Sequence, residues 1–466
     1  MLGLSIREAA VAMGARPVGR SDDDPLLARP FPSVSIDTRT LRTGECYFAI
    51  VGERHDGHDF LTQAVEAGAA VLIVGRTVPE ELGRRLPVLL VEDTTRALQD
   101  LGRRVRKIWG GKLVAITGSM GKTTTREFTV RLLSKRLQVL QPYGNFNNHI
   151  GLPLSLTRLE STHNAAVVEL GMNHAGEIDL LGDICRPDIA VITNIAPVHL
   201  EFFESIDAIA QAKGEILHSL PEDGSFVFNS DDERARKLAE TFQGQTVSFG
   251  FGPEADYRIS EWAIRDLSGM SFAMSGPGLL VTGRLGVVGK HFLYDAAAAV
   301  AVAGLFDLRP DEIHQGLSRL LALQGRGRLL CLDSVRLWDD SYNSNPQALE
   351  SVLETLSRVE TSSRKVLVLG DMLELGPTAP ELHRRVGMRA AEVAALLVTV
   401  GSLAEHLRAG AIEAGLPMAA TRHFASAEEA AEALPGLLHD GDLVLVKASR
   451  GVHLDRIVEA LAGGKR

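Results

Sequence analysis

The sequence predicts an α/β protein built of three units in series. Three observations predict it. At 466 residues the chain exceeds one ordinary core. Short continuous apolar runs, as expected of strands covered by helices on both faces, recur along it. Helical stretches and Gly-rich turns separate those runs, and the chain holds 45 glycines. The units are expected at 1–108, 109–325 and 326–466.

The first unit reads as a small mixed α/β domain. Between Ser33 and Asp93 the runs "CYFAIVG", "AAVLIVG" and "PVLLVED" alternate with polar turns, and Phe60 to Ala67 is helical. A basic helical stretch, Thr94 to Trp109, leads into the second unit. There "KLVAIT" is a strand, "GSMG" a turn and "KTTTREFTVRLLSKR" a helix. "NAAVVELG" and "DIAVITNI" are further buried strands. More alternating character from Ser225 to Thr282 predicts added antiparallel strands, and an Ala-rich helix, Asp295 to Leu305, closes the unit. The third unit starts near Gly325 to Arg328. Its strands "KVLVLGD", "AALLVTVG" and "DLVLVKAS" alternate with helices and predict a second open, Rossmann-like sheet. Ligands of such sheets sit beyond the carboxyl ends of the strands. Gly370-Asp371 and Ala448-Ser449-Arg450 fall there.

A formal charge of -10 argues against a broad nucleic-acid surface, so no nucleic-acid partner is expected. "MLGLSIREAA" is no secretory leader, and the most apolar later run, Ala296 to Phe306, is too short to span a bilayer. A cytoplasmic protein without membrane insertion is expected. Cys46, Cys185 and Cys331 match no metal or disulfide spacing and are expected as small core residues in a reducing cytosol.

The chemistry gathers at Gly118-Ser119-Met120-Gly121-Lys122-Thr123-Thr124. The common phosphate loop, G-x-x-x-x-G-K-[ST], would put glycine where this chain has Ile116. The loop is short, but its place between a strand and a helix is that of a phosphate cradle. Its glycines let backbone N–H groups approach an anion, and the helix adds its positive end. Lys122 supplies a point charge and Thr123 a hydroxyl for Mg²⁺. The second unit is therefore expected as a P-loop-type mononucleotide-binding domain.

This loop, followed in order by "NFNNHIGLPLSL", "VVELGMNHAGEI", "VITNIAPVHLEFF", "AQAKGEIL", "GKHFLYDAAAAVA", "WDDSYNSNPQAL" and "VLGDMLELG", resembles the Mur ligase family. With "SIDTRTLRTGECYFAIVGERHDGHDF" near the start, the resemblance spans roughly residues 33 to 455. The "DDSYNSNP" block is similar to the branch that joins D-Ala-D-Ala to UDP-N-acetylmuramoyl-tripeptide. The resemblance implies ATP-driven amide synthesis through an acyl phosphate, giving ADP and phosphate. It also implies two Mg²⁺ ions. Gly118 to Thr124, Asp295, Arg328 and Asp340 would meet ATP. Thr123, Glu169, His199 and a carbamylated Lys213 would serve the metal sites, with Lys122, Glu169, His199 and Lys213 as the catalytic set. Asp37, Thr38, Arg39, Gly57, His58, Asn147 and Asn148, with His149 beside them, would hold the UDP-substrate. Asn343, Asn345, Ser449 and Arg450 would meet D-Ala-D-Ala. A monomer is expected.

Without the resemblance several of these residues read more plainly. Lys213 alone is a solvated helix lysine, His199 an ordinary loop or core residue, and the Asn residues are turn formers. Asp295 departs from the family helix, H-N-x-x-N, whose second Asn meets adenine. Asp accepts where Asn both donates and accepts. Two rivals stay open: a sibling ligase adding a single amino acid, and a catalytically silent nucleotide-binding protein.

Overall fold

The computed structural model describes residues 2–142, 144–197 and 201–463. Three sheets organise it. The first runs Arg16–Pro17, Val88–Leu90, Val71–Val74, Cys46–Phe48, Val34–Ser35, all parallel except the first. Beyond the expected elements it carries a helix, Ile6–Ala12, started by a Ser5–Glu8 capping box.

The basic helix Thr94–Trp109 is more than a link. Asp93 caps it by accepting from the backbone N–H of Thr95 and Arg96. Its Ala97, Leu98, Leu101 and Val105 lie in one apolar core with Phe48 and Ile73 of the first unit and Leu113 and Ala115 of the second. Arg106 of the same helix is buried and donates to the Cys185 and Arg186 carbonyls and to Asp188. One helix thus fastens two units by both apolar and polar contacts.

The central sheet has nine strands, ordered Leu279–Leu285, Gly269–Gly276, Tyr257–Asp266, Gln245–Gly250, Ser225–Asn229, Ile189–Ile192, Lys112–Thr117, Ala165–Glu169, Val139–Leu140. The expectation of antiparallel strands from Ser225 onward is half right. Ser225–Asn229 and Gln245–Gly250 extend the parallel sheet, joined by the helix Glu233–Thr241. Only Tyr257 to Leu285 forms an antiparallel meander. The Ala-rich helix begins earlier than expected, at Lys290, and Ala296 to Ala303 are fully buried. Small side chains let it lie close on the helix Lys122–Leu133.

The third sheet runs Arg328–Cys331, Arg336–Asp339, Leu443–Lys447, Lys365–Gly370, Leu396–Val400, Thr421–Phe424. Three of these strands were not expected, because "RLLC", "RLWD" and "TRHF" are short and carry charged residues. Cys331 ends the edge strand and is exposed, which corrects its expected place in the core; Cys46 and Cys185 are buried. The meander of the second unit reaches this third unit. Leu267 and Val288 lie in its apolar core with Leu349, Val352 and Leu353, and the Arg358 guanidinium stacks 5.2 Å from the Trp262 ring.

The helices Ala379–Ala391 and Ala404–Glu413 cross closely because glycine stands at each contact. A Cβ at Gly387 would strike the Leu407 carbonyl, and one at Gly410 the Arg384 carbonyl. Neither obstacle is a flexible side-chain tip. Gly410→Ala is therefore expected to destabilise the fold by about 1–3 kcal/mol, read as a lower urea midpoint with an unchanged slope.

Candidate active site

The strands Lys112–Thr117 and Ala165–Glu169 are paired in parallel with Ile116 opposite Glu169. That register brings two chain segments to one sheet edge: the glycine loop, and an acid with its neighbours. Both open into a cleft of about 1220 Å³. All three units line it, through Glu53 of the first, Lys122, Glu169 and Asn194 of the second, and Asp340 and Lys447 of the third.

The loop conformation requires its glycines. Gly118 has φ 146° and Gly121 φ 81°. A side chain at Gly118 would strike Thr193, and one at Gly121 would strike the Asp295 carboxyl. The turn is strapped to the next strand end. Met120 N–H donates to Asn194 Oδ1 at 3.0 Å, and Asn194 Nδ2 donates to the Met120 carbonyl at 3.1 Å. Ser119 donates to the Ala196 carbonyl and accepts from the Ala196 N–H. Asn194 was missed in the sequence as a site residue; its only signal there is its place just after a buried strand.

Glu169 is 2 % exposed. It accepts from the Thr123 hydroxyl at 2.9 Å and from Asn147 Nδ2 at 2.9 Å, and Arg126 lies 3.7 Å away. Lys122 Nζ donates to the Gly118 carbonyl at 2.7 Å. Burial lowers the Lys122 pKa and Arg326 lowers it further, while Glu169 opposes both. Lys213 is buried, contrary to the plain reading of it as a solvated lysine. Burial holds its ammonium well below the usual lysine range, and Lys122 adds to the effect. Such a lysine favours its neutral amine.

Arg328 was expected at the phosphates. It lies exposed on an edge strand, and Arg326 stands at the site instead. Arg326 donates to the Thr123 hydroxyl at 3.1 Å. The two arginines straddle Gly327, whose φ of 73° turns the chain between them, a reversal invisible in "GRGR". Arg326 also stacks on the Tyr342 ring at 4.1 Å, and Arg450 stacks on the same ring at 5.1 Å.

Asp295 lines the cleft wall, but its carboxyl does not stand free to read a base. It lies against Gly121 and accepts from Thr125 Oγ1 at 3.0 Å. Burial pushes its pKa up to about 8, with Thr125 and Arg326 pulling the other way. Asp340 is paired with Lys447, Nζ to Oδ2 2.6 Å, and Lys447 also donates to the Asn343 carbonyl.

Other expected residues hold structure. Asn345 caps the helix Pro346–Arg358, and Asn148 accepts from the Ile150 and Gly151 N–H groups. Both still line the cleft, as do Asn343 and His149. Ser449 is buried; it accepts from Leu373 N–H and donates to the Ser344 carbonyl, tying strand ends together. The first-unit set lies away from the cleft. His58 is buried between Asp56 and the Gly75 N–H, and Gly57 is fixed by the nearby backbone of Ala49 and Ile50. Asp37 pairs with Arg39, and Thr38 donates to Gln63. His199 lies outside the described residues.

The donor set fits a magnesium nucleotide in one respect. Thr123 and Glu169 offer hard oxygens beside the loop. Among the described residues no cluster of three or more His, Cys, Asp or Glu could hold a metal by itself. That suits an ion whose other ligands are phosphates and water.

Comparison with known proteins places this geometry. Residues 31–106 match the Mur ligase family catalytic domain, 116–303 the Mur ligase middle domain, and 325–450 the Mur ligase glutamate ligase domain. The UDP-N-acetylmuramoyl-tripeptide–D-alanyl-D-alanine ligase of Bacillus subtilis is 35% identical over 430 residues, 92% of each chain. A crystal structure of MurF from Acinetobacter baumannii superposes with a TM-score of 0.87 at 30% identity, covering 98% of each chain. MurF ligase from Thermotoga maritima in complex with ADP gives 0.80 at 28% identity, over 93% of this chain and 97% of that one. With three domain models in order and that identity across nearly its whole length, the chain belongs to the Mur ligase family.

Proposed function

We propose that the protein joins D-alanyl-D-alanine to UDP-N-acetylmuramoyl-tripeptide, using ATP and releasing ADP and phosphate. The observation that carries this reading is the strapped glycine loop with Lys122 and the Thr123–Glu169 pair, facing a cleft with walls from all three units. The relatives named for this reaction match along the whole chain. Because one chain supplies every wall, a monomer suffices. Cytoplasmic location goes with the reading, and among the described residues no helix is long and apolar enough to cross a membrane.

A carboxylate is a poor acyl donor. In the proposed reaction one oxygen of the tripeptide's terminal carboxylate attacks the γ-phosphorus, and the bond to ADP breaks. The dipeptide amine then attacks the acyl phosphate carbon, loses a proton, and phosphate leaves. The protein's part is to position reactants and offset charge. Loop N–H groups and Lys122 would hold the phosphates. Arg326 would meet charge developing on the transferred group, its guanidinium kept in line by the Tyr342 ring. Asn147 and Asn148 would meet the muramoyl-peptide, and Asn343 and Arg450 the incoming dipeptide. Asp340, held by Lys447, would take the nucleotide's hydroxyls.

Mg²⁺, when bound, would neutralise phosphate charge, with Thr123 and Glu169 as its protein ligands and His199 and modified Lys213 serving a second ion. Lys213 has the property that modification requires. Its neutral amine would add CO₂ and release a proton, turning a would-be cation into an oxygen donor.

The deciding assay measures phosphate release with ATP, magnesium and the UDP-tripeptide, with D-Ala-D-Ala or single amino acids as acceptor. Turnover only with the dipeptide is expected; turnover with a single amino acid favours the sibling ligase, and none favours the silent protein. Lys122→Met is expected to lower kcat/KM by about 10²–10³. Arg326→Ala is expected to cause a loss of similar size, whereas Arg328→Ala stays near the parent value. Equal losses at both arginines would restore Arg328 to the site. Lys213→Ala is expected to be inactive and partly restored by formate, while a short amine is without effect.

A further inference from the structure

Asp295 has no part in the chemistry above, yet it sits directly behind the phosphate loop. Its Oδ1 occupies the space that a side chain at Gly121 would need. Asp295 is 4 % exposed, and the Thr125 hydroxyl is its hydrogen-bond donor among the described residues. The charged group acting on it is Arg326, which gives its own hydrogen bond to Thr123. So a carboxyl group backs a turn whose open side offers N–H groups to an anion. A negative charge there would oppose that anion across a short, dry distance where solvent screens little. It would also compete for the positive end of the helix Lys122–Leu133. Burial favours the uncharged acid and pushes its pKa up to about 8.

We propose that Asp295 is a positioning residue that carries a proton while the loop holds nucleotide phosphates, so that nucleotide binding takes up a proton in mildly alkaline solution and weakens as the acid ionises. The proposal rests on the reading of the loop as a nucleotide site. Protonated, the carboxyl still accepts from Thr125 and keeps the turn in shape without charge. An asparagine at this place would do the same at every pH; an aspartate makes the loop's grip conditional.

The sign follows directly. The competent form is the protonated one, and its fraction falls as pH rises through the folded pKa near 8. Titration calorimetry of the full chain with ADP and magnesium tests this at pH 7, 8 and 9, in two buffers of different ionisation enthalpy. The parent's affinity is expected to fall from pH 7 to 9 by about tenfold more than that of Asp295→Asn. At pH 8 the parent is expected to take up about half a proton more than the variant. Thr125→Val removes a donor that favours the ionised form, so its loss of affinity moves to higher pH. Equal pH dependence and equal proton counts in parent and Asp295→Asn overturn the proposal. Should Asp295→Asn fail to fold, an unshifted profile in Thr125→Val overturns it. A parent that binds no ADP at pH 7 overturns the nucleotide reading beneath it, which is a separate result.

Discussion

Glu169 is an acid buried at a strand end, and the site is organised around keeping it there. Taking a carboxylate out of water is costly unless partners replace the lost hydration. Thr123 and Arg126 do so from one helix, and Asn147 from the segment that follows it. Parallel pairing of Ile116 with Glu169 fixes the acid beside the loop, because a slip of one residue would turn its side chain to the other face. The sheet register is therefore also the register of the chemistry. The Thr123 hydroxyl is shared: it donates to Glu169 and accepts from Arg326. Through that one oxygen the second unit's acid is linked to the segment that opens the third.

The same segment shows how three units can act as one site. The guanidinium groups of Arg326 and Arg450 both lie over the Tyr342 ring, so a ring from the third sheet's loop steadies a cation aimed at the second sheet's loop. Each face of the ring attracts a cation. Farther out, the meander sets Leu267 into the third unit's core, and the helix Thr94–Trp109 shares its core with the first two units. Polar contacts converge on the cleft while apolar contacts hold its walls from behind. That division leaves a cleft of about 1220 Å³ open among the three units.

Much of this was legible in the sequence, for a physical reason. Buried parallel strands must be continuous apolar runs, so "KLVAIT" marks its strand, Lys112–Thr117, to the residue. The glycines of the loop stand out because no other residue fits there. What stayed hidden depends on distant partners. Ser225–Asn229 pairs in parallel with a strand more than thirty residues earlier, and local alternation says nothing of pairing partners. The edge strands of the third sheet carry charge, since only one side of an edge is paired. Arg326 and Arg328 differ by a glycine turn that composition does not show. Asn345 and Ser449 fit a motif, yet their side chains cap a helix and tie loops. The sequence marked where they stand and was silent on what already occupied their hydrogen bonds.

One imbalance remains inside the cleft, and it argues for the kind of ligand the site takes. The chain as a whole carries a formal charge of -10. Around the loop the balance is local: Lys122 and Arg326 stand near one acid, Glu169, while Arg126 is also paired with Glu127. Lys122 lowers the hold of Lys213 on a proton, and Arg326 acts the same way on Lys122. Like charges held together in a buried place are costly unless an anion joins them. Asp295 could have been that anion, but its burial favours the neutral acid. An anion from outside the chain would offset Lys122 and Arg326 together. Asn194 takes the N–H groups of Ser119 and Met120, so the helix start at Lys122 is the part of the loop suited to such a charge. A polyphosphate carries several negative oxygens on one compact stem, so it can meet the loop, Lys122 and Arg326 at once. A lone carboxylate or chloride would leave part of the cluster unanswered.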